Sequence, residues 1–452
     1  MATGNSFLFE KMSIKKAVLT LAVPTVISQL ITVIYNMADT FYIGQMNDPN
    51  QVAAATVAMP LFMMFNALSN FFGIGGSSLV ARSLGENNSD RARKTASFCV
   101  FAATAISVIY GISIMSLRAV LLPLLGADKA VYGYAYTYVF WTVTIGTLPS
   151  VMNPLLAHLI RAEGYSKQAS FGVAMGGVLN ILLDPLFIFT FKMEIKGAAV
   201  ATLISNVVAT LYFVFFIFKK RKVSVVFPRI KDFSFGGGIP FEVAAVGLPS
   251  FAISFMASIS NSVLNSMVAS YSTFAIAGMG IAKKINLIAF AVAQGMTQGS
   301  LPLIGFNYTA KNKKRMDEAI KTTFMFSIIV ALIATVILFF GANFVTKLFI
   351  DNVDTVGYAT RFLKIICLAC PGTTISLMTI TVFQATGKKI YPIILSLLRK
   401  GGLDVPFMIL FNIFFKINGI AWATPIADTL AAAVAVVMLI TVAKKGGLKN
   451  TN

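Results

Sequence analysis

The sequence predicts an all-α polytopic membrane protein, with twelve transmembrane helices in two six-helix lobes related as a parallel repeat. Three observations support this prediction. The 452-residue chain is 57% hydrophobic and 12% charged, whereas soluble domains are about 25% charged. Apolar runs of the length that crosses a bilayer, about 20 residues, recur along the chain, and segments of its first half return in the same order in its second half.

Each long apolar run is predicted to be a helix, because backbone groups in lipid must be hydrogen-bonded within their own segment. A membrane β-barrel would show short alternating stretches instead. The predicted spans, six in each half, lie near residues 17–43, 52–81, 95–117, 131–160, 169–191, 197–218, 241–268, 275–306, 322–342, 359–385, 391–415 and 419–442. An even number of spans in each half keeps the two halves parallel.

Two motifs show the internal repeat most clearly. GAAVAT at 197–202 returns as GIAWAT at 419–424, an offset of 419 − 197 = 222. LAVPTVISQL at 21–30 returns as VGLPSFAISF at 246–255. The halves of a parallel membrane repeat are related by an axis along the bilayer normal, so we expect a binding site between or within them near the midplane.

Lys and Arg residues are concentrated on one side of the predicted spans. The net charge is 37 − 17 = +20, and most basic residues fall in connections on the same side as both chain ends. Since cytoplasmic loops are enriched in Lys and Arg, both termini are expected in the cytoplasm, with the protein in the cell membrane. The charge is therefore a topology signal and a contact with anionic membrane lipids, and no nucleic-acid partner is expected.

One long polar connection on the predicted cytoplasmic side sets the predicted domain boundary. Residues 1–218 are predicted to form the first lobe, residues 219–240 a cytoplasmic linker, and residues 241–452 the second lobe. The linker begins with four basic residues and ends in three glycines. Such glycines would let one lobe move against the other.

Asp39 and Asp184 are acidic residues inside predicted spans, and neither has a Lys or Arg within one helical turn in the sequence. An ionisable residue inside a membrane is costly and usually functional. A carboxylate buried without a partner tends to hold a proton or to recruit a cation. The alternative is a carboxyl group that neighbouring amides satisfy for structural reasons.

Neighbouring polar residues complete a set of oxygen ligands. Asn180 precedes Asp184 by four residues and shares its helix face, and Thr202 of GAAVAT offers a hydroxyl. Carboxylate, amide and hydroxyl oxygens suit a small hard cation and can also hold protons. We therefore predict a cation or proton coupling site, which Na⁺ could occupy, at Asp39, Asn180, Asp184 and Thr202.

Other residues inside the spans are candidates for contact with a bound substrate. Methionines and aromatic residues suit an adaptable apolar pocket, although packing explains most of them. The candidates are Tyr35, Asn36, Met63, Asn66, Asn261, Asn265 and Gln294. Pro24 is the candidate gating residue, because a proline in the middle of a span removes a helical hydrogen bond and is expected to kink the helix.

The second half has a different set of charges. The residue offset from Asp39 is Leu264, so the first carboxylate has no acidic counterpart. The membrane charges of the second half are Lys283, Lys284, Arg399, Lys400, Asp404 and Asp428. Lys400 and Asp404 are four residues apart and are expected to pair along one helix for structural reasons. We therefore expect the coupling chemistry in the first half, with Asp428 as an outlying candidate.

The motifs of common enzyme sites are absent from the sequence. It contains no HExxH, P-loop or GxSxG motif, and His158 is its single histidine. We therefore expect no enzymatic activity and no cofactor other than a coupling ion.

In combination, these motifs resemble the multidrug and toxic compound extrusion (MATE) transporters, most of all their bacterial multidrug-export members. The resemblance runs from LAVPTVISQLITVIYNMADTFYIGQ to GIAWATPIADTL. It implies two six-helix lobes around a central cavity that opens alternately to the two sides. It also implies a secondary active antiporter that exports cationic amphipathic compounds in exchange for Na⁺ or H⁺. The same resemblance assigns Asp39, Asn180, Asp184 and Thr202 to the cation or proton site of the first lobe, and Pro24 to a bend in the first helix.

The sequence departs from the family in its second half. Some members have a glutamate on the seventh helix where this chain has Ala257, and residues 359–385 contain no acidic residue. A cation site of that kind in the second lobe is therefore not expected. A lipid-linked oligosaccharide flippase of the wider superfamily remains the alternative, since the basic residues of the second half could face a pyrophosphate. The expected partners are cationic hydrophobic small molecules and membrane lipids, and we expect a monomer.

Overall fold

The computed structural model describes residues 6–46, 48–350 and 352–446, so the outer limits of the predicted lobes, residues 1 and 452, lie outside the described residues. The described part contains helices and no strand. In this part, seven single helices and three composite spans, Ser166–Thr190, Val353–Ala385 and Ile390–Lys444, are long and apolar enough to cross a membrane. Twelve spans result, because Tyr132–Ile145 and Thr147–Ala162 form one bent span and because Lys416, at φ 53° and ψ −139°, divides the last long helix into two.

We number these spans α1 to α12 in chain order. The first six are α1 Ile14–Gln45, α2 Pro49–Gly85, α3 Ser89–Leu124, α4 Tyr132–Ile145 with Thr147–Ala162, α5 Ser166–Thr190 and α6 Glu194–Lys219. The second six are α7 Ile239–Ala269, α8 Thr273–Thr309, α9 Lys313–Lys347, α10 Val353–Ala385, α11 residues 390–415 and α12 residues 417–444. A short helix, Ser6–Glu10, precedes α1. Each predicted span overlaps one observed span over nearly its whole length, which confirms the all-α membrane fold.

The connections that follow α2 and α8 have the same local structure. Asn87 and Lys311 both have a φ of 57°. The next residues, Asn88 and Asn312, cap the following helices by accepting a hydrogen bond from the backbone N–H three residues on, at 3.0 and 3.2 Å. Asparagine is among the preferred residues at a helix N-terminus. The fold thus repeats here even though the two sequence segments are only loosely alike.

The described residues divide into two compact units, and the division falls inside helices. The first unit is built on Ile31–Gly247, and the second combines Phe9–Leu30 with the described residues from Leu248 onward. The prediction instead divided the chain in sequence order at residues 219–240. The difference arises because α1 and α7 are each shared, so that the first part of α1 packs in the second unit and the first part of α7 packs in the first unit.

Glycines make this sharing of α1 and α7 possible. In the second unit, a Cβ atom added to Gly295 of α8 would lie 2.5 Å from the Cα atom of Val26 of α1. In the first unit, a Cβ atom added to Gly75 of α2 would collide with the backbone carbonyl of Val243 of α7. Only glycine permits such close approach of two backbones. The two shared helices are therefore packed tightly against their host units.

The connection between α6 and α7 packs onto the first unit. The ring of Phe233 stacks on that of Phe98, with centroids 6.2 Å apart. The Ser224 hydroxyl and the Val225 N–H donate to the two carboxylate oxygens of Glu163, at 2.6 and 2.5 Å. Glu163 follows the end of α4 and is only 3% exposed. The first part of the connection is thus fixed to the fold rather than free.

This contact predicts a pH-dependent stability. Burial raises the pKa of Glu163 from its ordinary 4.5 to about 7, although the hydrogen bonds from Ser224 and Val225 oppose the shift. The folded protein therefore holds a proton that the unfolded chain loses, and stability falls as the pH rises from about 4.5 to about 7. Glu163→Gln cannot ionise. We expect its melting temperature in detergent to exceed that of the wild type by a margin that grows from pH 5 to pH 8.

The matched control is Glu318→Gln, which changes an exposed glutamate on α9. The difference between its melting temperature and that of the wild type should not change with pH. A margin for Glu163→Gln that stays constant or shrinks as the pH rises would contradict the prediction.

Candidate functional site

The predicted coupling residues lie in the first unit, on α1, α5 and α6. The Asn180 Nδ2 atom donates to Asp184 Oδ1 at 3.1 Å and lies 3.4 Å from the Thr202 hydroxyl. Asp39 is close enough for its charge to act on Asp184. The proximity of Asn180 and Asp184 follows from their spacing along one helix, whereas tertiary packing brings Asp39 and Thr202 to them.

Three oxygens of this cluster have no hydrogen-bond partner among the described residues, namely Asp39 Oδ1, Asn180 Oδ1 and Asp184 Oδ2. Asp184 is 0% exposed. None of the ion pairs found among the described residues includes Asp39 or Asp184. An unpaired buried oxygen costs roughly 1–3 kcal/mol, and more when it is charged. The cluster is therefore rich in negative charge and lone pairs and has no positive partner from the protein.

Tyr138 of α4 is a further member of this cluster that the sequence analysis missed. Its side chain is buried, and the charges of Asp39 and Asp184 both act on its hydroxyl group. A phenol can donate a hydrogen bond to a carboxylate or offer a neutral oxygen to a cation. Nothing in the local sequence AYTYVFW separates this tyrosine from the aromatic residues around it.

Two asparagine side chains form hydrogen bonds that hold the backbone at Thr202. The Asn206 Nδ2 atom donates to the Thr202 carbonyl at 3.0 Å, and Asn153 Nδ2 donates to Asn206 Oδ1 at 3.0 Å. Asn153 lies on α4, so these bonds connect α4 to α6 beside the cluster. They hold the backbone that presents the Thr202 hydroxyl.

Glycines on α5 let both neighbouring helices approach the cluster. A Cβ atom added to Gly176 would lie 3.0 Å from Cβ of Ala209 on α6. A Cβ atom added to Gly177 would lie 2.8 Å from Cγ2 of Ile31 on α1. Small residues at such positions are the usual means of close helix packing in membranes. They lie one turn before Asn180, and so they set the distance at which α1 and α6 present their oxygens.

The predicted substrate-contact residues are divided between the units. Those of the first unit are Tyr35, Asn36, Met63 and Asn66, and those of the second are Asn261, Asn265 and Gln294. Tyr35 and Gln294 are half-buried and the others are exposed. Two of the amides have partners, since Asn36 donates to the Thr32 carbonyl at 2.8 Å and Asn261 accepts from Lys283 Nζ at 2.5 Å.

Pro24, the predicted gating residue, lies in the part of α1 that belongs to the second unit. The helix runs through it without interruption. Beside it, the Thr25 hydroxyl donates to the Leu21 carbonyl at 2.8 Å. The division of α1 between the two units comes later, between Leu30 and Ile31.

The buried charges of the second unit are paired. Lys400 Nζ lies 2.9 Å from Asp404 Oδ2, which confirms the predicted pair. Arg399 Nε lies 2.7 Å from Asp428 Oδ1. This second pair was not predicted, because its members are 29 residues apart on different helices. Asp428 is therefore compensated and differs in this respect from Asp39 and Asp184.

Comparison with known proteins identifies the family. The MatE family model matches residues 24–186 and 249–410, each half once, with starting points 249 − 24 = 225 residues apart. These two segments make up most of the chain. The chain belongs to the MATE family. The match to each half also supports the repeat seen in the sequence and in the fold.

Relatives of this MATE protein are similar over almost their whole length. The multidrug export protein MepA of Staphylococcus saprophyticus is 29% identical over 433 residues, which cover 96% of this chain and 95% of the relative. MepA of Staphylococcus aureus is 28% identical over a segment of the same length. A solved multidrug resistance MATE transporter of the MOP superfamily, in an outward-facing conformation, is 26% identical with a TM-score of 0.92, and the match covers 98% of this chain and 100% of that one. The predicted resemblance and the two-lobe helical fold are thereby confirmed.

The packing at Gly177 can be tested with Gly177→Val. The new side chain would push α5 away from the part of α1 that belongs to the first unit, residues 31–45. Such overpacking costs roughly 1–3 kcal/mol. We expect a lower melting temperature for the MATE protein in detergent. Gly133→Val is the matched control, because a Cβ atom added to Gly133 of α4 meets no atom within 4 Å. Equal losses of stability in the two variants would contradict this account of the packing.

Proposed function

We propose that this MATE protein is a secondary active multidrug exporter that expels cationic amphipathic compounds in exchange for Na⁺ or protons. The coupling ion would be taken up at Asp39, Asn180, Asp184 and Thr202. The observation that carries the proposal is the cluster of unpaired oxygens on two carboxylates and one amide in the first unit. The names of the MepA relatives, which are multidrug export proteins, support the transported class.

Electrostatic forces at Asp39 and Asp184 determine whether the coupling ion or the cationic compound is favoured at each stage of the exchange. Two carboxylates without a positive partner repel each other and attract any cation that reaches them. When Na⁺ or protons neutralise Asp39 and Asp184, the second part of α1 can pack closely against α5. When the ion leaves, the negative charge favours a cationic compound from the cytoplasm. Exchange requires that ion and drug stabilise different conformations, because a ligand shifts an equilibrium only by its difference in affinity for the two states.

The same proposal places the protein in the cell membrane, with both termini in the cytoplasm. The distribution of Lys and Arg along the connections supports this orientation. Membrane lipids are then its permanent surroundings, and its basic cytoplasmic connections contact anionic headgroups. We propose that it acts as a monomer, since one chain already contains both halves of the repeat.

The test is ethidium efflux from proteoliposomes under an imposed Na⁺ gradient and, separately, under a proton gradient. We expect one gradient to drive efflux by the wild type and thereby to identify the ion. Asp184→Asn keeps the shape of the side chain but cannot be ionised, and we expect it to reduce coupled efflux at least about tenfold, or about 1.4 kcal/mol. Its folding should be unchanged, because no ion pair is broken.

Asp354→Asn is the matched control, because Asp354 is exposed in the first turn of α10. It should transport at the wild-type rate. Normal efflux by Asp184→Asn would contradict the coupling role. The absence of wild-type efflux under both gradients would contradict the drug-export proposal and favour transport of a lipid-linked substrate.

A further inference from the structure

The surroundings of Asp404 in the second unit repeat those of Asp184 in the first. Asp184 lies in the segment LDP at 183–185 of α5, and Asp404 lies in LDVP at 403–406 of α11. Their offset is 404 − 184 = 220, whereas GAAVAT and GIAWAT are 222 residues apart. Asp404 thus lies near the position in the second half that corresponds to Asp184, although the sequence predicts for it only a structural pair with Lys400.

The hydrogen bonds around the two carboxylates correspond. Asp184 Oδ1 accepts from Asn180 at 3.1 Å, and Asp404 Oδ2 accepts from Lys400 at 2.9 Å, in each case from the residue four positions earlier. Thr424, the last residue of GIAWAT, donates to Asp404 Oδ1 at 2.9 Å. Thr202, the last residue of GAAVAT, adjoins Asn180 in the first unit. In the first unit Asn180 thus contacts both the carboxylate and the threonine of the next helix, whereas in the second unit the carboxylate itself accepts from Lys400 and from that threonine.

The two surroundings differ in charge. In the first unit the second carboxylate, Asp39, adds to that of Asp184. In the second unit the counterpart of Asp39 is Leu264, a buried apolar residue, and Ser260 one turn earlier donates to Asp404 Oδ2 at 2.7 Å. The first arrangement has two carboxylates and no ammonium group, whereas the second has one carboxylate and one ammonium group.

We infer that the Asp404 pocket is a second cation site in which the ammonium group of Lys400 occupies the place that an exchangeable cation takes in the first unit. The identity of that cation in the first unit rests on the function proposed above. Lys400 is a permanent occupant because it is bonded to the chain. The second unit therefore takes up no coupling ion, and the ion capacity of the whole protein resides in the first unit.

A neighbouring lysine strengthens this assignment. Lys283 of α8 donates to Asn261 at 2.5 Å, and its charge acts on both Lys400 and Asp404. The second ammonium group makes the pocket positive overall and opposes entry of a further cation. Arg399 and Asp428 form a separate neutral pair on the same helices. The charges of Lys400 and Lys283 therefore both oppose the binding of a further cation beside Asp404.

The inference predicts what removal of Lys400 would do. A buried carboxylate that loses its partner is strongly destabilised, so Asp404 would take a cation or a proton from solution once Lys283 is neutral as well. The Lys400 side chain is 16% exposed, whereas that of Asp404 is 1% exposed. Lys400→Asn copies the first unit, where an asparagine precedes the aspartate by four residues.

The experiment measures cation uptake by detergent-purified protein in an Asp39→Asn/Asp184→Asn/Lys283→Gln background, which lacks both carboxylates of the first site and the second ammonium group near Asp404. Radioactive Na⁺ binding is measured at pH 8, and proton uptake is measured between pH 5 and pH 8 without Na⁺. We expect the background variant to bind no Na⁺ and to take up protons only at groups that every variant shares, such as Glu163, whose pKa burial raises to about 7. Addition of Lys400→Asn should create one cation or proton site per protein, and further addition of Asp404→Asn should abolish it. Lys400→Arg, which keeps a tethered cation, should create none.

Two results would overturn the inference. The first is a folded Lys400→Asn protein that gains neither Na⁺ nor proton uptake. The second is a Lys400→Asn protein that aggregates at every Na⁺ concentration and pH, since an exchangeable cation would otherwise fill the vacated place. Failure of the proposed function appears separately, as equal ion uptake by the wild type and Asp184→Asn, and a site gained with Lys400→Asn would stand in that case too.

Discussion

The first unit is organised around two carboxylates, Asp39 and Asp184. Neither has a positively charged partner among the described residues. Removing an ion from water costs several kcal/mol even inside a real protein, and here two like charges lie within range of each other. Among the described residues, the protein supplies an amide, a hydroxyl and a phenol around them, and no Lys or Arg forms an ion pair with either carboxylate. Under the proposed function, an ion from solution completes this site, and the activity of the helix bundle depends on that ion.

The two halves of the internal repeat use a similar arrangement around an aspartate in two different ways. Asp184 and Asp404 each accept a hydrogen bond from the residue four positions earlier, and the threonine of the following helix contacts Asn180 in the first unit and Asp404 in the second. One substitution, an asparagine against a lysine, decides whether the place beside the carboxylate is open or permanently filled. Under the proposed function, the same backbone plan gives an exchangeable site in the first unit and a closed one in the second.

Helix α1 connects the site to the rest of the fold. Asp39 lies in the part of α1 that packs in the first unit, and Val26 lies in the part that packs against Gly295 in the second. A change in charge at Asp39 therefore acts on a helix whose other end is fixed against α8. This shared helix is the physical element through which neutralisation of the carboxylates can favour one conformation over another.

Much of this structure could be predicted from the sequence, and the failures have physical causes. The spans follow from apolar run length, and Asp39 and Asp184 stand out because charge is scarce in a membrane. The contact of Asn180 with Thr202 and the nearness of Tyr138 to Asp184 depend on how closely α5 packs against its neighbours, which a sequence motif does not encode. The correspondence of Asp404 with Asp184 became visible only from their hydrogen bonds, because Lys400 stands where the first unit has Asn180 and so Asp404 is predicted only as half of an ion pair. The division of α1 between units leaves no signal, since Leu30 and Ile31 are ordinary apolar residues.

The most direct test of ion and drug exchange at these carboxylates is the affinity of the purified protein for ethidium as Na⁺ concentration and pH are varied at constant ionic strength. Because coupling between two ligands is reciprocal, the account predicts that added Na⁺ or added protons weaken ethidium binding at least about tenfold, or about 1.4 kcal/mol. It also predicts that this dependence disappears in the Asp39→Asn/Asp184→Asn double variant. An ethidium affinity that ignores both ions, or the same dependence in the double variant, would contradict it.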